Sequence, residues 1–293
     1  MIKGKIIKGI GGFYYIHDGI GTVYECRAKG KFRNQKLKPL VGDDVEMDII
    51  DTEKKTGNVS RILPRQNDLI RPAVANVDQA LLVFSVTSPE PNFNLMDRFL
   101  IMMEQQGLPV ILCFNKTDLA TEEEINKCLD IYRHAGYPVE QISVAKEEGL
   151  ERIRDLLRGK TTVLAGPSGV GKSSLMNYLN PSASMETGEI SQKIQRGKHT
   201  TRHSELLAVA ENTYIMDTPG FSSLGLFDLE KEQLAWYYPE FAEYEKFCKF
   251  GMCSQISEPV CGVRDALAEG KLHKLRYDNY VLLYNELKDK KKF

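Results

Sequence analysis

No uninterrupted apolar run in this chain is long enough to cross a bilayer, and residues 1–10 alternate lysine with isoleucine instead of forming a signal-peptide core. These absences set the expectation of a cytoplasmic protein with no membrane partner. Cysteine is scarce. Six in 293 residues, three of them crowded late, do not make a disulfide framework and suggest a metal site in a reducing compartment. Excess charge is also missing: the net charge is −1, so contact with nucleic acid needs a local patch rather than a global field. What remains, 42% hydrophobic and 27% charged residues, fits an ordinary soluble chain of two or three domains.

The most informative stretch is 161–174. A short β-branched and apolar run meets Gly166-Pro167-Ser168-Gly169-Val170-Gly171-Lys172-Ser173-Ser174, and the loop continues into a helical pattern to residue 179. This is G-x-x-x-x-G-K-S between a strand and a helix. Glycines let backbone N–H groups turn inward around phosphate oxygens, and the helix adds the positive end of its dipole. Lys172 is expected at the β- and γ-phosphates, with the Ser173 hydroxyl facing Mg²⁺.

Three further motifs fall at expected strand ends. Residues 77–86 and 108–114 read as buried strands, and the second ends at Asn115-Lys116-Thr117-Asp118. A carboxylate at Asp118 accepts from the two donors on the guanine edge, which adenine lacks. Asn115 would orient the loop and the Lys116 stem would lie on the base. Residues 139–144 read as a third strand, and Ser143-Val144-Ala145 at its end would present a backbone N–H to the guanine O6. Residues 206–210 and 213–216 read as a hairpin ending at Asp217-Thr218-Pro219-Gly220, where Asp217 would hold Mg²⁺ and the Gly220 N–H would meet the γ-phosphate. Strands alternating with helices, including one opened by a Thr121/Glu124 capping box, predict a parallel, doubly wound sheet. Together the motifs predict a GTP-binding domain, with the base-reading loop ahead of the phosphate loop: a circular permutation.

The flanks differ. Residues 5–10, 13–16, 22–27, 44–50 and 58–62 read as five short strands, a small barrel of OB type. Arg27, Lys29, Lys31, Arg33, Lys36 and Lys38 follow one another with no acid between them. This run is either a phosphate-contacting loop or a solvated one, and both readings stay open. Residues 227–238, 241–247, 264–269 and 275–287 read as helices around Cys248, Cys253 and Cys261.

On Arg71-Pro72, Ala75-Asn76-Val77-Asp78-Gln79, Asp97-Arg98-Phe99-Leu100, the phosphate loop, Arg196-Gly197-Lys198-His199-Thr200-Thr201 and Asp217-Thr218-Pro219-Gly220-Phe221, the chain resembles the RsgA (YjeQ/YloQ) family of circularly permuted GTPases of small-ribosomal-subunit biogenesis. The resemblance spans essentially the whole chain. It implies an RNA-binding OB barrel over 1–70, a permuted GTPase domain over 71–225 and a helical zinc-binding domain over 226–293. It implies GTP hydrolysis to GDP, stimulated by the small (30S) subunit, with rRNA contact, other assembly factors as partners and a monomeric chain. Phe221 stands where other GTPases carry a water-orienting glutamine, and His199 is the implied substitute. Lys172 and Thr201 join it in the catalytic set, Thr201, or in its place Thr200, also completing the Mg²⁺ shell with Ser173 and Asp217. The family's histidine two residues after the second cysteine is Gln255 here. A closed zinc site wants four ligands, so water, a backbone group or His273 would complete the Cys248, Cys253, Cys261 set; otherwise these are buried thiols. A different class stays open: a nucleotide-switched chaperone of another RNA whose hydrolysis is incidental.

Overall fold

The computed structural model describes residues 2–28, 32, 38–69, 73–181, 205–217 and 229–289. His199, Thr201, Gly220, Phe221 and Lys29, Lys31, Arg33 and Lys36 of the basic run lie outside the described residues.

Five strands close the N-terminal barrel: β1 (Ile2–Ile10), β2 (Phe13–His17), β3 (Val23–Ala28), β4 (Asp44–Asp51) and β5 (Thr56–Ile62), in the order β1-β2-β3-β5-β4. The alternation that marks them in sequence turns Ile6, Ile16, Cys26, Val45, Met47 and Val59 inward onto Phe32. Gly11 and Gly12, both at positive φ, make the β1–β2 turn, which suits the twist of a two-residue hairpin. A small ladder, β6 (Asp68–Leu69) with β7 (Val74–Ala75), follows the barrel.

The central sheet contains β8 (Gln79–Ser85), β9 (Val110–Asn115), β10 (Val139–Gln141), β11 (Thr161–Ala165), β12 (Leu207–Ala210) and β13 (Thr213–Asp217). Their order is β10-β9-β8-β11-β13-β12, parallel except for β12 at the edge. Period-2 alternation splits the core. Ala80, Leu82 and Phe84 face one layer with α1 (Phe93–Gln105) and α2 (Glu122–Tyr132); Leu81 and Val83 face the other with α3 (Leu150–Leu157) and α4 (Lys172–Leu179). The Thr121/Glu124 capping box opens α2. β10 stops at Gln141, short of the expected 144, because Ser143 turns aside into a bridge with Glu148.

The C-terminal unit packs α5 (Ala242–Glu245), α6 (Gly262–Ala268) and α7 (Lys274–Asp289) with two 3₁₀ segments, Lys231–Tyr237 and Pro239–Phe241. The α-helix expected over 227–238 is corrected here: its described part is 3₁₀, and Pro239 holds Tyr238 at φ −118°, ψ 86°, outside the helical region. Tyr238, Phe241 and Tyr280 form the centre, with ring centroids 5.0–5.2 Å apart. No helix among the described residues is long and apolar enough to cross a membrane.

One buried ion network ties this unit to α1. Arg276 is 2% exposed and Asp97 is fully buried; they pair directly. Tyr132 Oη and Asn279 Nδ2 also donate to the Asp97 carboxylate, at 2.9 and 2.7 Å. The guanidinium reaches Glu240 Oε1 and Oε2 at 2.8 and 3.1 Å and lies over the Tyr238 ring. Burial opposes ionisation of both partners. It pushes the Asp97 carboxyl up against the pull of Arg276, while Asp97 and Glu240 outweigh it at Arg276, whose guanidinium stays charged well above its ordinary range. Arg276→Met would strand two buried carboxylates, and we expect it to destabilise the C-terminal unit by about 3–5 kcal/mol. Amide hydrogen exchange over 229–289 along a urea titration reads the loss.

Candidate nucleotide and metal sites

The phosphate loop leaves the fully buried β11 and enters α4. Two of its glycines are forced by close approach. A Cβ on Gly166 would stand 2.0 Å from the Val83 carbonyl oxygen, and one on Gly171 would stand 2.3 Å from Asn115 Nδ2. Lys172 Nζ donates back to Gly166 O at 2.8 Å and Pro167 O at 2.7 Å, inside the cradle its backbone forms. Burial lowers the Lys172 pKa, and the nearby Asp217 opposes that shift. Asp217 pairs with Leu164 across β11 and β13, so its carboxylate stands beside the start of the loop, on the same edge as Ser173.

Asn115, 2% exposed at the end of β9, joins the loops. Its Nδ2 donates to Val170 O at 2.8 Å, and its Oδ1 accepts from Val144 N at 3.2 Å. Lys116 takes a left-handed conformation, φ 64° and ψ 37°, and its ammonium donates to Gly169 O at 2.7 Å and to Ser88 O. Asp118 sits in the 3₁₀ turn Thr117–Leu119 and accepts from the buried Ser143 hydroxyl at 2.5 Å. That hydroxyl also accepts from Lys146 N at 3.1 Å, and Ala145 lies exposed beside it. The structure thus brings Asn115, Lys116, Asp118, Ser143, Ala145, residues 166–174 and Asp217 to the carboxyl edge of one sheet.

Sequence reasoning missed the loop after β8. Ser88 accepts from Lys116, and the Ser85 hydroxyl donates to Pro89 O at 2.5 Å, fixing that loop against the phosphate loop. The available signal was topological: β8 lies between β9 and β11, so the loop after it must emerge between the other two.

The thiols of Cys248, Cys253 and Cys261 lie within 4.8 Å of one another, with Cys248 and Cys261 at 3.9 Å. Tetrahedral zinc with bonds near 2.3 Å sets sulfurs about 3.8 Å apart, so the cluster fits such an ion. Burial pushes the Cys253 thiol up to about 12 and raises Cys261 as well, shifts that a bound cation would reverse. His273 is not a member of the cluster; its Nδ1 accepts from Leu275 N at 3.1 Å. Gln255, at φ 60° and 4% exposed, accepts from Tyr280 Oη at 3.0 Å and donates to Glu245 at 3.4 Å.

Known proteins resemble this chain over its whole length. The family model for the RsgA GTPase matches residues 62–227, and that for the RsgA N-terminal domain matches residues 3–58. The chain belongs to the RsgA GTPase family. It is 56% identical to a protein of Agathobacter rectalis named small ribosomal subunit biogenesis GTPase RsgA, each covered over 100% of its length, and 48% identical, over 100% of both chains, to the same-named protein of Alkaliphilus metalliredigens. Among solved structures it resembles YjeQ from Thermotoga maritima, with a TM-score of 0.82 at 35% identity over 99% of both chains. It also resembles YloQ, described as a circularly permuted GTPase, with a TM-score of 0.81 at 39% identity over 100% of this chain and 97% of that one. As an RsgA family member this chain is a GTP hydrolase, and its fold is the barrel, permuted GTPase domain and C-terminal cysteine cluster expected from sequence.

Asn115→Ala would leave the Val170 carbonyl and the Val144 N–H without their partner and loosen both loops. We expect a loss of about 1–3 kcal/mol in GDP affinity, roughly ten- to a hundred-fold, with the sheet intact. Calorimetric titration alongside circular dichroism reads both.

Proposed function

We propose that this RsgA-family GTPase is cytoplasmic and monomeric, docks on the small ribosomal subunit through rRNA contacts and hydrolyses GTP there late in subunit maturation, alongside other assembly factors. The observation that carries it is the assembled site at the sheet's carboxyl edge in a chain whose full-length relatives bear the subunit-biogenesis name.

In this reading the backbone of residues 166–174 and the amino end of α4 hold the phosphates. Lys172 exchanges the carbonyls of Gly166 and Pro167 for phosphate oxygens. Asp118 reads the guanine edge, with Ser143 holding it in place, while the Ala145 N–H meets O6 and the Lys116 stem covers the base. Bound Mg²⁺, held by Ser173, Asp217 and Thr201, would neutralise charge between the β- and γ-phosphates. Gly220 would donate to the γ-phosphate. His199 orients the attacking water, since a phenylalanine at 221 has no polar atom to do so. The three working units are 1–70, 71–225 and 226–293, with the basic run from Arg27 to Lys38 lying against rRNA phosphates.

Multiple-turnover GTP hydrolysis with purified small subunits, large subunits and tRNA tests the assignment. We expect stimulation by small subunits alone. Stimulation by tRNA would move the protein to another RNA, and binding without stimulation would favour the chaperone class. His199→Ala is expected to remove the stimulated rate by about 100- to 10,000-fold while nucleotide affinity holds.

Cys248, Cys253 and Cys261 would hold one zinc ion, with water or a backbone group as the fourth ligand because Gln255 is engaged elsewhere. Elemental analysis is expected to find about one Zn²⁺ per chain, lost on mild chelation faster than from a four-ligand site, and Gln255→His should slow that loss. Folded protein purified from zinc-replete cells without zinc would remove the metal from this reading.

A further inference from the structure

The barrel holds the β12–β13 hairpin at both of its ends. At one end Leu206 N donates to Ile7 O at 2.8 Å, and Lys8 bridges Glu205 in antiparallel register, their side chains paired at 2.9 Å. The β1–β2 register slips between Ile6 and Lys8, so Ile7 leaves the barrel ladder there and packs against the central core, beside the buried Leu206. At the other end Asn212 N donates to Gly19 O at 2.9 Å, and the Tyr214 hydroxyl meets His17 Nδ1 at 3.0 Å. Gly19 N also donates to that nitrogen, so Nδ1 is the acceptor of both and the proton sits on Nε2. His17 is 5% exposed and Tyr214 is 2% exposed.

The place of this hairpin in the chain gives the contacts meaning. His199 lies six residues before Glu205, and Gly220 lies three residues after Asp217, the last residue of β13. The hairpin is therefore the direct covalent link between the two segments read above as sensing the γ-phosphate, and the inference rests on that reading. β12 is the sheet's edge strand, and the barrel's β1 lies against its start. Among the described residues the C-terminal unit is tied to α1 through Arg276 and Asp97.

The geometry points to Lys8 and His17 as positioning residues: through Glu205 and Tyr214 they couple nucleotide state to the barrel, so that the barrel, rather than the C-terminal unit, follows the γ-phosphate. A partner loaded on the barrel then raises affinity for the γ-phosphate-bearing nucleotide by the same route and the same factor, because linkage between two binding sites is reciprocal.

Amide hydrogen exchange on the full chain, without any ribosomal partner, tests this. Exchange over residues 2–10 is compared with Mg²⁺ and a non-hydrolysable GTP analogue or GDP, and protection over 166–174 reports that nucleotide is bound. We expect exchange over 2–10 to slow by about two- to five-fold with the analogue, the scale of a single exposed ion pair. Lys8→Glu should erase the difference, and the charge swap Lys8→Glu with Glu205→Lys should restore it. In turnover assays Lys8→Glu should raise KM for GTP when small subunits are present, while the rate without subunits holds. A wild-type difference confined to 229–289, or one unchanged in Lys8→Glu, would overturn the coupling, as would a loss that the charge swap fails to restore. Absent protection over 166–174 would instead count against the nucleotide site itself.

Discussion

The Asn115 carboxamide is the contact on which the nucleotide edge depends. It is buried at the end of β9 and makes one hydrogen bond to each neighbouring loop, to Val170 in the phosphate loop and to Val144 in the base loop. A side chain at 171 would occupy its place, so the glycine there serves the end of β9 as well as its own turn. Lys116 repeats the link from the exposed side through Gly169 and Ser88. The phosphate loop and the Asn115–Asp118 loop thus form one hydrogen-bonded object, which would cut the ordering cost of a nucleotide bound across both.

Permutation leaves that object unchanged, because sheet order and not chain order sets the geometry. β8 lies between the base strand and the phosphate strand, although it comes first in sequence. The chain enters β8 under control: Asp78 N donates to Thr161 O at 2.9 Å, and Thr161 N donates to the Asp78 carboxylate at 2.7 Å, pinning the start of β8 to the start of β11. What permutation alters is what each flank is attached to. The barrel precedes the sheet yet clasps its last hairpin, and the C-terminal unit follows the hairpin yet fastens to the first helix. The two outer units therefore grip opposite ends of the central chain.

Features fixed by near neighbours were legible in the sequence. The α2 capping box, helix α3 at 150–157 and the buried apolar run of β8 each depend on residues a few positions apart. Features fixed by distant partners were not. Asp97 is a charged residue among Met96, Phe99 and Leu100, an oddity visible in sequence, but its partner lies 179 positions away. The 3₁₀ segment at 231–237 has a helical pattern and loses α geometry where Pro239 follows. β10 was read three residues too long because Ile142 and Val144 are as β-branched as a strand; the Ser143 hydroxyl between them is instead turned toward Asp118, and that contact overrides propensity.

Gln255 shows how a departure from family pattern is absorbed. Where the family resemblance implies a histidine, this side chain is almost fully buried and bonded on both its amide atoms. Tyr277 Oη closes on its carbonyl at 2.6 Å, and Tyr280 Oη also reaches Ser254 O at 2.8 Å. Tyr280 in turn packs on Tyr238 and Phe241 at the centre of the unit, and Arg276 stacks on the same Tyr238. The loop between Cys253 and Cys261 is thereby anchored through aromatic hydroxyls to a core that Cys261 itself joins. A zinc ion on the three thiols would tighten that loop, while the ring cluster and the Arg276 network hold the unit itself.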